Sequence, residues 1–159
     1  MRGISAEAVL LCIAYGGSLA ALVLVPNDRR RESQAVFLFF GLVTWVLGLA
    51  AVEAGWLTYP VREFQSATQT SFVFEFLAFP VVSIYFNLYF PQGRSPWIQA
   101  GYGGAFAAAI TVPEFFIEKY TQLIEYHGWT WYWTFVSVML TLWVSRLFYV
   151  WFFRVNGKA

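Results

Sequence analysis

The sequence predicts an all-α integral membrane protein, a bundle of five transmembrane helices forming one domain over residues 1–159. Three observations lead there. The chain is 59% hydrophobic and only 12% charged, about half the charge of a soluble domain. Its apolar residues gather into long runs rather than at amphipathic spacing. Aromatic residues make up 21%, including eight Trp, which suits a chain that anchors itself at two water–lipid interfaces.

Five runs approach the roughly 20 apolar residues a helix needs to cross a hydrocarbon core. They lie at about residues 5–25, 35–56, 70–90, 97–117 and 129–153. The first stops at Pro26 and the basic stretch Arg29-Arg30-Arg31. The third ends at Pro91-Gln92-Gly93-Arg94-Ser95-Pro96, a turn by composition. Helices are required because backbone polar groups in lipid must find partners within the segment. The first run also has features of a signal peptide, with Arg2 ahead of it and Ser18-Leu19-Ala20 as a cleavage site. Glu7 and the triple Arg favour a retained helix with a stop-transfer flank.

Lys and Arg in short loops set the orientation. With the N-terminus outside and the C-terminus cytoplasmic, the inner side holds Arg29, Arg30, Arg31, Arg94, Arg154 and Lys158, with Arg146 close by. The outer side holds only Arg2, Arg62 and Lys119. Trp56, Tyr59, Tyr126, Trp129, Trp131 and Trp133 then serve as outer interfacial anchors.

Small residues mark faces where helices approach closely in lipid. Gly101, Ala105 and Ala109 form such a stripe in the fourth run. Gly41, Gly48 and Gly55 form one in the second, and Gly16/Ala20 with Gly17/Ala21 in the first. These three runs are expected to pack most tightly within the chain, with a homo-oligomer interface as the less favoured reading of one stripe. Pro80 and Pro113 lie inside apolar runs, where each should kink the helix and free a carbonyl about one turn earlier. Ser83 and Asn87, four apart, read as interhelical hydrogen-bonding groups. Cys12 is alone and reads as a small buried apolar residue.

Ionisable groups inside membrane segments are costly and usually serve a purpose. The carboxylates are Glu53 in the second run, Glu75 in the third, and Glu114 with Glu118 in the fourth. The alternating topology places all of them in the outer third of the bilayer. Arg62, Lys119, His127 and Arg146 are the candidate charge partners. Gathered carboxylate oxygens can coordinate a hard divalent cation, with carbonyls freed by proline as further ligands, so Glu75 and Glu114 are the residues for any metal. Alternatively the site exchanges protons, because desolvation penalises the charged form of a carboxyl group. The plainer alternative is that each Glu pairs with a basic residue, hydrogen-bonds a neighbouring helix, or reaches the interface. Arg146 can snorkel inward along its helix.

Other chemistries find little here. His127 is the single His, so neither a bis-His haem nor a two-His zinc helix can be built within one chain. No Ser-His-Asp arrangement or phosphate-binding loop is seen, and an enzyme is the less favoured reading. A net charge of +1 without a basic tail argues against nucleic acid.

Two blocks carry a family likeness. The first is Glu75-Phe76-Leu77-Ala78-Phe79-Pro80 followed by Phe86-Asn87-Leu88-Tyr89-Phe90-Pro91. The second is Glu118-Lys119-Tyr120-Thr121 with Trp129, Trp131-Tyr132, Thr134-Phe135 and Ser145-Arg146. Over about residues 70–154 the chain resembles a family of small, uncharacterised multi-spanning membrane proteins of spore-forming Gram-positive bacteria. The resemblance implies a bacterial cytoplasmic or spore membrane and implies no activity.

The expected function is binding of a cation or proton at the acidic intramembrane site, as a transporter or channel subunit. The alternative is a non-catalytic scaffold, sensor or partner-binding subunit. Expected partners are the bilayer and a second copy or another membrane protein, with no cofactor evident beyond a hard divalent cation.

Overall fold

The computed structural model describes residues 6–155, so Arg2 and Lys158 of the charge count lie outside it. The order of elements is α1 (Ala6–Val23), a 3₁₀ turn (Asn27–Arg29), α2 (Arg30–Glu53), β1 (Leu57–Thr58), a π-helical segment (Val73–Ala78), α3 (Phe79–Leu88), α4 (Pro96–Tyr120), β2 (Glu125–Tyr126) and α5 (Trp131–Phe153). Four helices are long and apolar enough to cross a membrane, and a shorter apolar helix covers Val73–Leu88.

The outside of the bundle is apolar. Leu38, Leu42, Val46 and Leu49 line one exposed face of α2, and Leu140, Val144, Leu147 and Trp151 one of α5. Their three- and four-residue spacing is that of a helix face, turned outward instead of toward a core. This is the pattern of a chain whose solvent is hydrocarbon. The interior holds Phe40, Phe86, Ala107, Ile110 and Leu142 at the centre of the bundle.

The ends of the helices sort into two sets. At one end β1 pairs with β2 antiparallel, Leu57 opposite Tyr126 and Thr58 opposite Glu125. The Trp56 carbonyl accepts from three successive amides, those of His127 (2.9 Å), Gly128 (3.0 Å) and Trp129 (3.1 Å). Glu7 at the start of α1 reaches the Gln122 amide at the same end (3.5 Å). At the other end the Tyr149 hydroxyl donates to Glu32 (2.6 Å), and Arg146 donates to Gln92 (2.6 Å).

Local sequence explains the helix boundaries. Ser95 caps α4, its hydroxyl accepting from Ile98, and Pro96 occupies the first turn, where its missing N–H costs nothing. α2 closes in a Schellman turn. Gly55 takes φ +68°, its amide bonds Val52 (2.9 Å) and the Trp56 amide bonds Ala51 (3.1 Å). Gly55 therefore ends the helix and does not extend the packing stripe of Gly41 and Gly48, both of which are buried.

Pro80 acts through the segment before it. The Phe79 amide bonds Phe74, five residues back, so the turn is π-helical. The Glu75 carbonyl would then need the amide of residue 80, which is proline. The Thr44 hydroxyl of α2 donates to that freed carbonyl instead. Pro113, by contrast, lies inside an uninterrupted α4.

Three packing expectations are corrected. On α4, Gly103 and Ala107 are the buried small residues, while Gly101, Ala105 and Ala109 face outward. A Cβ at Gly103 would meet Trp143 of α5 at 3.2 Å, so this face seats the α4–α5 pair. α1 packs least closely, with Ser18 its one buried residue and open space beside Gly16 and Gly17. Cys12 is exposed, because α1 lies at the edge of the bundle.

Candidate functional site

Glu75 and Glu114 arrive at one cavity from different helices. It encloses about 370 Å³ at the end of the bundle that carries β1 and β2, between α2, the π-helical segment, α4 and α5. Glu75 is placed by the π-helical turn and by Gly48 opposite it on α2. A Cβ on Gly48 would stand 3.0 Å from Glu75 Oε1 and 2.9 Å from Thr70 Oγ1, so only glycine lets the carboxylate lie against that helix. Glu75 is 7% exposed, and its Oε1 accepts from the Tyr59 hydroxyl (2.7 Å). Its second oxygen has no hydrogen bond among the described residues.

Glu114 sits one residue beyond Pro113, and its Oε1 accepts from two hydroxyls. One is that of Tyr126 and the other that of Thr134 at the start of α5 (2.8 Å). The Trp129 indole donates to Thr134 Oγ1 (2.8 Å), which fixes the direction of this short network. Its second oxygen, like that of Glu75, is unpartnered among the described residues. Among the described residues, every donor on the two carboxylates is a neutral hydroxyl.

Tyr59 and Tyr126 hold their protons well above the ordinary phenol range. Burial is the main cause for both, and the adjacent carboxylates, Glu75 and Glu114 respectively, add to it. Both therefore remain hydrogen-bond donors throughout neutral pH.

The other acidic candidates do not join. Glu53 is exposed and lies in a separate surface recess with Arg62. Glu118 is half-buried near the end of α4 and does not line the cavity. The expected charge partners are not beside the carboxylates either. Arg62 donates to the carbonyls of Tyr59 (2.7 Å) and Thr68 (2.8 Å), which shapes the loop before Glu75. The Lys119 ammonium lies over Phe115 and Tyr120, 5.9 and 5.7 Å from the ring centres. The His127 ring shares a hydrogen bond with Thr58 (3.0 Å).

Arg146 belongs to the opposite end. It is 5% exposed, bonded to Gln92, with its guanidinium 4.3 Å from the Phe90 ring centre. It is thus folded into the bundle rather than extended to the interface, because an aromatic face and an amide oxygen are available there. Beside it the Ser83 and Ser145 hydroxyls meet at 2.6 Å, and Asn87 donates to Ser145 (2.9 Å). Ser83 and Asn87 do bond between helices.

Among the described residues no ion pair joins Glu75 or Glu114 to a Lys, Arg or His, and no three His, Cys, Asp or Glu side chains gather as a metal-ligand set. The carbonyl freed by Pro80 is already taken by Thr44, so it adds no ligand.

The sequence did not reveal Thr44, Gly48, Tyr59, Tyr126, Trp129 and Thr134 as the residues around the carboxylates. Tyr59, Tyr126 and Trp129 read as interfacial anchors, yet their polar groups turn inward. Only the aromatic enrichment of both loops hinted at them, and that enrichment has a commoner cause. No protein-family model matches the chain, and no curated protein or solved structure matches it either.

Proposed function

We propose that this chain is a non-enzymatic, five-span protein of a bacterial cytoplasmic or spore membrane that binds a proton or cation on Glu75 and Glu114. In this reading the N-terminus is outside, the C-terminus is cytoplasmic, and the cavity lies in the outer third of the bilayer. The site serves a transporter or a channel subunit.

One observation carries the reading: two carboxylates face one cavity and neither has a basic partner among the described residues. Moving an ionised carboxylate out of water costs several kcal/mol even after relaxation, and an internal cation usually offsets it. Here hydroxyl donors offset only part of that cost. The remaining counter-charge is what a bound proton or cation supplies. A divalent ion asks for six to eight oxygens in the case of Ca²⁺, or near-ideal octahedral geometry in that of Mg²⁺. The oxygens at hand favour a proton or a singly charged cation.

Flux through protein reconstituted in liposomes tests this. Transport that follows a pH or ion gradient and falls in Glu75→Gln and Glu114→Gln is the expected result. No gradient dependence, with both variants silent, would count against the reading. It would leave the partner-binding alternative, for which a protein should co-purify in mild detergent.

A further inference from the structure

We propose that the ligand of this cavity is a hydrophobic organic ammonium, admitted from the side of the bundle at α2. The inference rests on the reading that Glu75 and Glu114 carry the binding charge, and it names the chemistry of what they bind.

Volume is the first ground. A proton or a bare inorganic ion needs no cavity of about 370 Å³, a size at the lower end of small-molecule pockets. The walls are the second. Phe40, Leu57, Phe79, Ile110 and Val138 surround the space, and Glu75 and Glu114 are the acidic groups in its lining. An inorganic cation would leave those walls uncovered, a neutral hydrophobe would leave the carboxyl groups to be neutralised by protons alone, and an anion would be repelled by an ionised carboxylate. A ligand with an apolar body and a positive head meets both demands, with the second carboxyl group holding a proton.

Glu75 supplies the third ground. Its side chain is more than nine-tenths buried, it lines the cavity, and its second oxygen has no partner among the described residues. That leaves a carboxylate oxygen that a cationic head can approach by charge attraction alone, with no N–H required. The Trp56 and Trp129 rings, stacked 5.6 Å apart, both border the cavity and add aromatic faces of the kind that hold quaternary ammonium groups.

The outer wall decides the route. Leu47 and Trp56 line the cavity, yet they are 49% and 48% exposed. The wall at α2 is therefore also outer surface of the bundle, and this flank is where the proposed entry lies. With the chain in a membrane, a ligand that partitions into the bilayer reaches this flank directly.

Equilibrium binding of radiolabelled benzyltrimethylammonium to the full chain in lipid nanodiscs tests the proposal. Neopentylbenzene, the same shape without charge, serves as competitor. Saturable binding is expected, with the neutral compound weaker by at least ~10-fold. The Glu75→Gln/Glu114→Gln double variant should weaken binding by at least ~10-fold as well. Ser137→Leu, which fills the cavity and keeps both carboxylates, should do the same. Absence of saturable binding to the unaltered protein, or equal competition by the neutral compound, would overturn the proposal without any variant. Proton uptake that persists while the ammonium fails to bind would sink this ligand alone; loss of both would sink the site.

Discussion

Gly48 and Glu75 are in contact because Gly48 has no side chain: a Cβ there would stand 3.0 Å from Oε1 of the carboxylate. Alanine in a helix is normally worth about 1 kcal/mol over glycine. Gly48→Ala should lose that gain and more, because Glu75 must turn from Tyr59 or α2 must shift, a net loss of about 1–2 kcal/mol. Gly16→Ala, with nothing within 4 Å, should be neutral or mildly stabilising. Thermal unfolding in detergent would show the contrast, and equal behaviour of the two variants would refute the contact.

The Thr44 hydroxyl supports the π-helical turn by donating to the Glu75 carbonyl. Thr44→Val keeps the shape and removes the donor, leaving a buried carbonyl unpaired, for a loss of about 1–3 kcal/mol. Thr141 bonds only carbonyls of its own helix, those of Ser137 (2.9 Å) and Val138 (3.0 Å). Thr141→Val should therefore cost less than Thr44→Val in the same denaturation assay.

Tyr59 and Tyr126 should be silent where ordinary tyrosines ionise. Their phenols are held protonated above the usual value of 10.0 by burial and by the nearby carboxylates. The sign follows from linkage. The folded state keeps protons that the unfolded state releases above about pH 10, so the stability these residues confer is complete below that pH and declines as pH rises through it. Ultraviolet titration should show the same number of phenolates forming near pH 10 in Tyr59→Phe and Tyr126→Phe as in the unaltered protein. Loss of a normal step in either variant would mean that its hydroxyl is not held as described.

At the opposite end, Ser83 and Ser145 should be energetically coupled through their 2.6 Å contact. A double-mutant cycle with alanine is expected to give about 0.6 kcal/mol, the usual size for hydrogen bonds between membrane helices. Additive effects would show that the two hydroxyls do not depend on each other.

The sequence made the helices legible because lipid imposes one rule on every segment, a long apolar run with its backbone satisfied internally. It also set Glu75 and Glu114 apart from soluble surface acids, since both fall inside apolar runs. Details set by tertiary contact were not legible. The inward stripe of α4 is Gly103 and Ala107 rather than Gly101 and Ala105, and spacing alone cannot choose between adjacent faces of a helix that is apolar all round. The role of Gly55 was hidden because a glycine seven residues past Gly48 fits a stripe and a C-terminal turn equally well. Tyr59 and Tyr126 were hidden because interfacial tyrosines look alike whether the hydroxyl points to water or to a buried carboxylate.

Glu75 and Glu114 reach one cavity from different helices. Infrared difference spectroscopy of their carboxyl bands, recorded against pH in nanodiscs, measures directly whether they form one site. Carboxyl groups that interact titrate as a pair, so in a shared site Glu75→Gln should shift the midpoint of Glu114, and Glu114→Gln that of Glu75. Midpoints that stay unchanged when the other carboxylate is removed would contradict a shared site.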